Sequence, residues 1–272
     1  MKRAILFSIV GVILIVLTEV RSFAQPQQRN QTNDKTIKLF NGINLDGWYT
    51  FLQNRGRDND PKSVFTVRDG MIRVSGEEWG CITTHAEYEN FTIVAEFKWG
   101  ELTFDPRLDN ARDCGLLLHS QGEDGGSQGI WMHSIECQII EGGTGDFIVV
   151  GNGTDQFQIT STVASEKQGN SFIFQPAGHK ETIQGGRINW YGRDPNWKDV
   201  LGFRGKNDIE KPVGEWNTLE CIAVDGQISI FLNGTLVNRA THVKPKKGLI
   251  QIQSEGAEIF FRRVELTPMI KK

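Results

Sequence analysis

Hydrophobic and polar residues alternate with a period of two along most of the chain, the pattern of strands that bury one face. Over residues 91–99, Phe91, Ile93, Ala95, Phe97 and Trp99 share one face, and Thr92, Val94, Glu96 and Lys98 share the other. "VFTVRDGMIRVS" reads as a hairpin, with Asp69-Gly70 as its two-residue turn. "WNTLECIAVDGQISIFLNGTLVNRA" reads as three strands joined at Asp225-Gly226 and Asn233-Gly234. "GLLLH" forms a strand ending at His119, and "GLIQIQSEGAEIFFRRVEL" supplies two strands around Glu255-Gly256. In "SIECQIIEGGTGDF" the apolar face carries Ile135, Cys137 and Ile139, and the other face carries Ser134, Glu136 and Gln138. Glu141 has the wrong parity for that polar face unless a bulge near Ile139-Ile140 turns it back. No helical periodicity, repeat or second-domain boundary interrupts the pattern. Many short strands with tight turns predict an all-β sandwich or barrel in one domain.

The start of the chain departs from this pattern. Lys2 and Arg3 precede an apolar run, and Ser22-Phe23-Ala24 has the small-x-small form of a cleavage signal. Residues 1–24 are therefore expected to be a removed signal peptide, since Glu19 and Arg21 cut the run short of a spanning helix. Residues 25–36 read as a disordered linker, and 37–270 as the folded domain. The expected mature protein is exported, to the periplasm or beyond the cell, with no membrane span. A net charge of −3 and no basic block exclude a nucleic-acid surface. Four cysteines (Cys81, Cys114, Cys137, Cys221) in an exported chain permit disulfides. Cys137 and Cys221, on apolar faces, read more simply as small buried hydrophobes.

Candidate chemistry lies on the polar strand faces, which present Glu96, Lys98, His119, Glu136, Gln138, Gln251 and Gln253. A purely solvated face is richer in Lys, Glu and Thr, so this mixture suggests a concave sheet with a functional polar floor. The irregular stretch 189–216 holds Trp190, Tyr191, Trp197 and Trp216, the aromatic residues of a sugar platform. Asp105, Asp109 and Asp113 recur at four-residue spacing in one loop. A divalent metal is open on that ground, although the loop lacks the EF-hand pattern and reads more simply as solvated.

"LFNGINLDGW", "DGMIRVSG", "YENFTIVAEFKW", "RDCGLLLH", "SIECQIIEGGTGDF", "VGEWNTLECIAVDGQISIFLNGTLVN" and "GLIQIQSEGAEIFFRRVEL" together resemble, in order, the 3-keto-disaccharide hydrolase-like family. The resemblance runs from about Lys38 to Thr267. It implies a concanavalin-like jelly-roll β-sandwich of two curved antiparallel sheets, and action on 3-keto-glycosides, with an oligosaccharide or glycoside as partner. One departure is Cys114, which stands in "DCG" where the family pattern has serine.

A 3-keto sugar makes its C2 hydrogen acidic, so a single base can start an elimination that expels the C1 substituent, and water adds afterwards. His119 and Glu136 are the expected bases or base-orienting pair, and Lys98 the expected partner of the enolate oxygen. Glu96, Gln138, Gln253 and Glu141 are expected to bind substrate, Trp190 to stack, and His133 and Arg193 to assist; Arg262 reads as equally structural. Glu96, Lys98, His119, Glu136 and Gln138 are expected to project into one cleft. An ordinary retaining glucanase using Glu136 and Glu141 is the second reading, and a non-catalytic carbohydrate-binding module the third.

Overall fold

The computed structural model describes residues 35–270. The predicted signal peptide, and the predicted linker up to residue 34, lie outside the described residues. Within them the chain forms two ten-stranded, mainly antiparallel sheets. The first sheet runs His179–Ile183, Gln158–Val163, Thr235–Lys244, Gln227–Leu232, Asn217–Val224, Phe91–Thr103, Ala257–Pro268, Met71–Val74 and Phe65–Arg68, with Ile37–Lys38 added beside Ala257–Pro268. The second runs Phe172–Ile173, Gly186–Asn189, Phe147–Val150, His133–Ile140, Asp113–Gln121, Lys247–Ser254, Gly80–Thr84, Trp48–Leu52 and Gly56–Arg57, with Tyr88–Glu89 added beside Lys247–Ser254. This is the concanavalin-like jelly-roll sandwich. No described helix is long and apolar enough to cross a membrane.

The alternating faces meet between the sheets. Phe91, Ile93, Ala95, Phe97 and Trp99 are buried, against Cys114, Leu116 and Leu118 and against Ile135, Cys137 and Ile139 of the opposite sheet. Each large side chain so buried contributes about 1.5–3 kcal/mol of transfer free energy. All four cysteines are buried and unbridged.

The turns follow their dipeptides. Asp69-Gly70, Asp225-Gly226 and Asn233-Gly234 all have positive φ at both residues, as a two-residue hairpin matched to strand twist demands. Glu255-Gly256 acts differently: it carries the chain from Lys247–Ser254 in one sheet to Ala257–Pro268 in the other.

Candidate functional site

Cross-strand register places the polar residues of the second sheet in rows on its outer face. Arg187 pairs with Ile148, Ile148 with Glu136, and Glu136 with Leu117. Leu117 then pairs with Gln251 and Gln251 with Thr83. In the next row Gln138 pairs with Gly115, and Gln253 with Cys81. Paired residues share a face, so Arg187, Glu136, Gln138, Gln251 and Gln253 all point away from the core.

This outer face is covered. Glu136 is 3% exposed, Gln138 2% and Gln253 1%, burial that a bare sheet face would not give. Trp131, with Trp79 stacked at 6.4 Å, packs with Cys81 and Leu117 on one side. The Met132 amide donates to Gln251 Oε1 at 3.2 Å. Across the face, Arg107 Nη2 lies 3.2 Å from Asp113 Oδ2.

Glu136 sits at the centre. A Cβ on Gly115 would meet Glu136 Oε1 and Gln253 Oε1 at 2.3 Å each, so both side chains occupy the space that glycine leaves open. Burial, then the charge of Asp113, pushes the Glu136 carboxyl up to about 8; Arg187 and a hydrogen bond with Gln253 oppose the shift. Burial also raises Asp113 to about 6, against the pull of Arg107 and Arg187. Gln138 Nε2 donates to Asp113 Oδ1. Glu255 is raised well above the carboxylate range by burial and by the charges of Asp113 and Glu136. The face therefore gathers three carboxyls and two arginines in one electrostatic field. Among the described residues no set of three or more His, Cys, Asp or Glu side chains is placed to hold a metal ion.

The Gly-Gly-Thr-Gly-Asp turn after Glu141 buttresses this face. Asp146 is fully buried and accepts from Trp190 N at 2.7 Å, Arg187 Nη1 at 2.9 Å and Arg193 Nη1. Arg187, held on Asp146, acts on Glu136 through its charge. Thr144 Oγ1 donates to Glu210 Oε2 at 2.7 Å, and a Cβ on Gly145 would strike Val237 Cγ2 at 2.4 Å. Glycine, at φ 101°, is what lets this turn pack so closely.

The single cleft expected for Glu96, Lys98, His119, Glu136 and Gln138 does not form. Glu136 and Gln138 share the covered face, and Gln253 joins them. Glu96 and Lys98 lie on Phe91–Thr103 of the first sheet, on the opposite side of the sandwich. There Glu96 pairs with Arg262 and Arg263, and Lys98 Nζ lies 5.1 Å from the Trp216 ring.

His119 turns inward. Asp113–Gln121 carries one extra residue against both neighbours: Leu118 and Gln121 oppose Ile135 and His133, and Leu117 and Ser120 oppose Gln251 and Leu249. The bulge gives His119 a φ of 55° and breaks the alternation that would have put it beside Leu117. Its ring packs edge-on against Phe91, 5.6 Å away, and burial lowers its pKa to about 4.

Other expected residues are structural in their contacts. Glu141 accepts from Arg112 N at 3.0 Å, Arg112 Nη1 at 2.7 Å and Gly202 N at 2.8 Å, so both its oxygens are engaged by structural partners. Trp190 is buried in the main core and offers no open stacking surface. His133 Nδ1 lies 3.2 Å from the Val150 carbonyl and its ring packs on Phe157. Arg193 is bound by Asp146, beneath the site, and packs on Trp197. Cys114 faces the core, with Sγ donating to the Gln253 carbonyl at 3.3 Å, so a side chain there cannot reach the covered face. Asp105 and Asp109 are exposed, apart from Asp113.

The family described as a 3-keto-alpha-glucoside-1,2-lyase-like domain matches residues 35–267. The chain belongs to that family. Membership makes it a carbohydrate-active protein, glycosyl-hydrolase-like or carbohydrate-binding. No curated protein matches it. A crystal structure of a proposed glycosyl hydrolase from Parabacteroides distasonis ATCC 8503 is 19% identical, with a TM-score of 0.50, covering 86% of this chain and 94% of that one. A second such structure from the same organism is 19% identical, with a TM-score of 0.49, covering 87% and 100%. The β-glucanase of Bacillus licheniformis is 10% identical, with a TM-score of 0.42, covering 88% and 100%. At such identities the first likeness bears on the fold alone.

Asp113, Arg107, Arg187, Glu255 and Asp146 join this candidate site without having been singled out for it in the sequence. One signal was present: Asp113 has the same parity as Gly115 and Leu117. Arg187 and Asp146 gave none, because only the pairing of Phe147–Val150 with Gly186–Asn189 brings them to Glu136.

Proposed function

We propose that this protein cleaves 3-keto-glycosides by elimination across C1–C2, followed by hydration. Glu136 takes the C2 proton, and the C–H electron pair becomes the enolate of the C3 ketone. Arg187 offsets the charge on the enolate oxygen. The enolate then expels the C1 oxygen, which takes a proton from Glu255, whose carboxyl is pushed well above its ordinary range by burial and by the charges of Asp113 and Glu136. Water adds at C1 and gives its second proton to the Glu255 carboxylate, and Glu136, its carboxyl proton exchanged with solvent, protonates C2. Gln138 and Gln253 bind sugar hydroxyls. The chain acts outside the cytoplasm, delivered by the leader at residues 1–24.

The observation that carries this reading is a buried carboxyl with its pKa near 8, set among arginines on a covered sheet face. A general base works best with a pKa near the working pH, and burial supplies that here. Family membership supports the substrate class.

One observation favours a second reading, ordinary displacement at C1. Glu136 and Asp113 have pKa values pushed apart to about 8 and about 6, as in an acid and base pair. Glu141, bound by Arg112, cannot be its second carboxyl. Incubating the pure protein with a glucoside and with its 3-keto form separates the readings. Cleavage of the keto form alone is expected. Cleavage of the parent glucoside would favour displacement, and cleavage of neither would leave a binding module.

A further inference from the structure

A groove lies on the first sheet, on the other side of the sandwich from Glu136, and its chemistry is different. It encloses about 460 Å³ above Gln158–Val163 and Thr235–Lys244. Lys180 pairs with Thr162 across one strand boundary. Thr160 pairs with Thr241 across the other, and the Ser161 hydroxyl donates to the Arg239 carbonyl at 2.6 Å, so the same register sets Thr162 beside Arg239. Lys180 and Arg239 thus flank one threonine hydroxyl in a single cross-strand row. Two strand spacings, about 10 Å, separate their backbones, a gap that two long side chains can close on one anion. Leu236, half-buried, gives the groove an apolar edge, with the buried Phe174 beneath it.

Two of the charges here are unpaired. Lys246 lies 3.8 Å from Asp225, the one carboxylate lining the groove. Among the described residues neither Lys180 nor Arg239 has a carboxylate within ion-pair distance, and the Arg239 side chain donates one hydrogen bond, from Nε to Ser229 Oγ at 3.1 Å. Elsewhere on the surface Arg55, Arg57, Arg262, Arg263 and Lys247 are all matched to carboxylates.

We infer that this groove binds an acidic saccharide, its carboxylate or sulfate ester between Lys180 and Arg239 and its ring against Leu236. It is a docking site for glycan separate from the cleavage site and independent of the chemistry at Glu136.

Calorimetric titration of the full chain with oligogalacturonate, a sulfated oligosaccharide, a neutral malto-oligosaccharide and inorganic sulfate tests it. At least one acidic oligosaccharide is expected to bind ten-fold or more tightly than the neutral one, and the two acidic arms separate carboxylate from sulfate ester. The Lys180→Gln/Arg239→Gln double variant should lose that preference while melting temperature and cleavage of a neutral 3-keto-glucoside stay unchanged. Both side chains are exposed, so the fold is not at stake. Equal affinity for neutral and acidic oligosaccharides, binding that survives in the double variant, or sulfate alone matching the oligosaccharides would overturn the proposal.

Discussion

The outer faces of the two sheets begin from the same sequence pattern and end as opposites. On the first sheet, Glu96 meets Arg262 and Arg263, whose side chains are 47% and 43% exposed. Burial works against ionising Glu96, yet the two arginines outweigh it and hold its carboxyl below the usual range. On the second sheet Glu136 is 3% exposed and faces Gln253 and a neighbouring acid, so its carboxyl rises to about 8. Both glutamates sit two residues from a second polar residue on an alternating strand. What separates them is cover: the second sheet's face is closed over, and the first sheet's is left half-buried. Cover converts a carboxylate that only decorates a surface into one poised to exchange a proton near neutral pH.

Substitutions can break this contrast, and the largest effect should come from Glu136→Gln. It should slow cleavage of a 3-keto-glucoside by about 10²–10⁴-fold, the range for losing a general base, with the circular dichroism spectrum unchanged. Asp146→Ala removes the buried partner of Arg187 and Arg193. Denaturant unfolding should show a loss of about 3–5 kcal/mol, the usual cost of leaving a buried charge unpaired. Gly115→Ala adds a Cβ where two carboxamide and carboxyl oxygens already sit. Displacing Glu136 by about an ångström should lower kcat up to about 10²-fold, with little change in melting temperature.

A subtler contrast is in pH dependence. Glu136 ionises at about 8 when folded against 4.5 ordinarily, so between those values the native state holds a proton that the unfolded chain has released. Stability should therefore fall as pH rises through that window, by at most about 1.4 kcal/mol per unit. Melting curves of the wild type and of Glu136→Gln, taken at pH 5 and pH 9, should diverge in favour of the variant at pH 9. Least of all should happen at Lys98→Gln and Glu96→Gln: stability within about 1 kcal/mol, as for exposed ion pairs, and kcat unchanged. A large loss of kcat at Lys98 would bring the first sheet's outer face back into the reaction.

Local chemistry made much of the fold legible. The Asp-Gly and Asn-Gly turns, the alternation over residues 91–99 and the shared face of Glu136 and Gln138 follow from backbone sterics and a two-residue period. The site was legible only in part, because parity along one strand says nothing of which strands are neighbours. Glu96 and Glu136 look alike until sheet order parts them. His119 shows a second limit: one extra residue in Asp113–Gln121 reverses its face, and no residue in "GLLLH" signals a bulge. Glu141 shows a third, since its partner Arg112 lies 29 residues away and its binding to the Gly202 amide depends on how the long aromatic loop returns.

The central claim is that the covered carboxyl removes a proton from C2. Reaction of a 3-keto-glucoside in deuterated water, with the released sugar analysed by mass and by proton resonance at C2, tests it most directly. The account predicts deuterium at C2 for the wild type, with both exchange and cleavage suppressed together in Glu136→Gln. Full retention of protium at C2 during wild-type cleavage would contradict it.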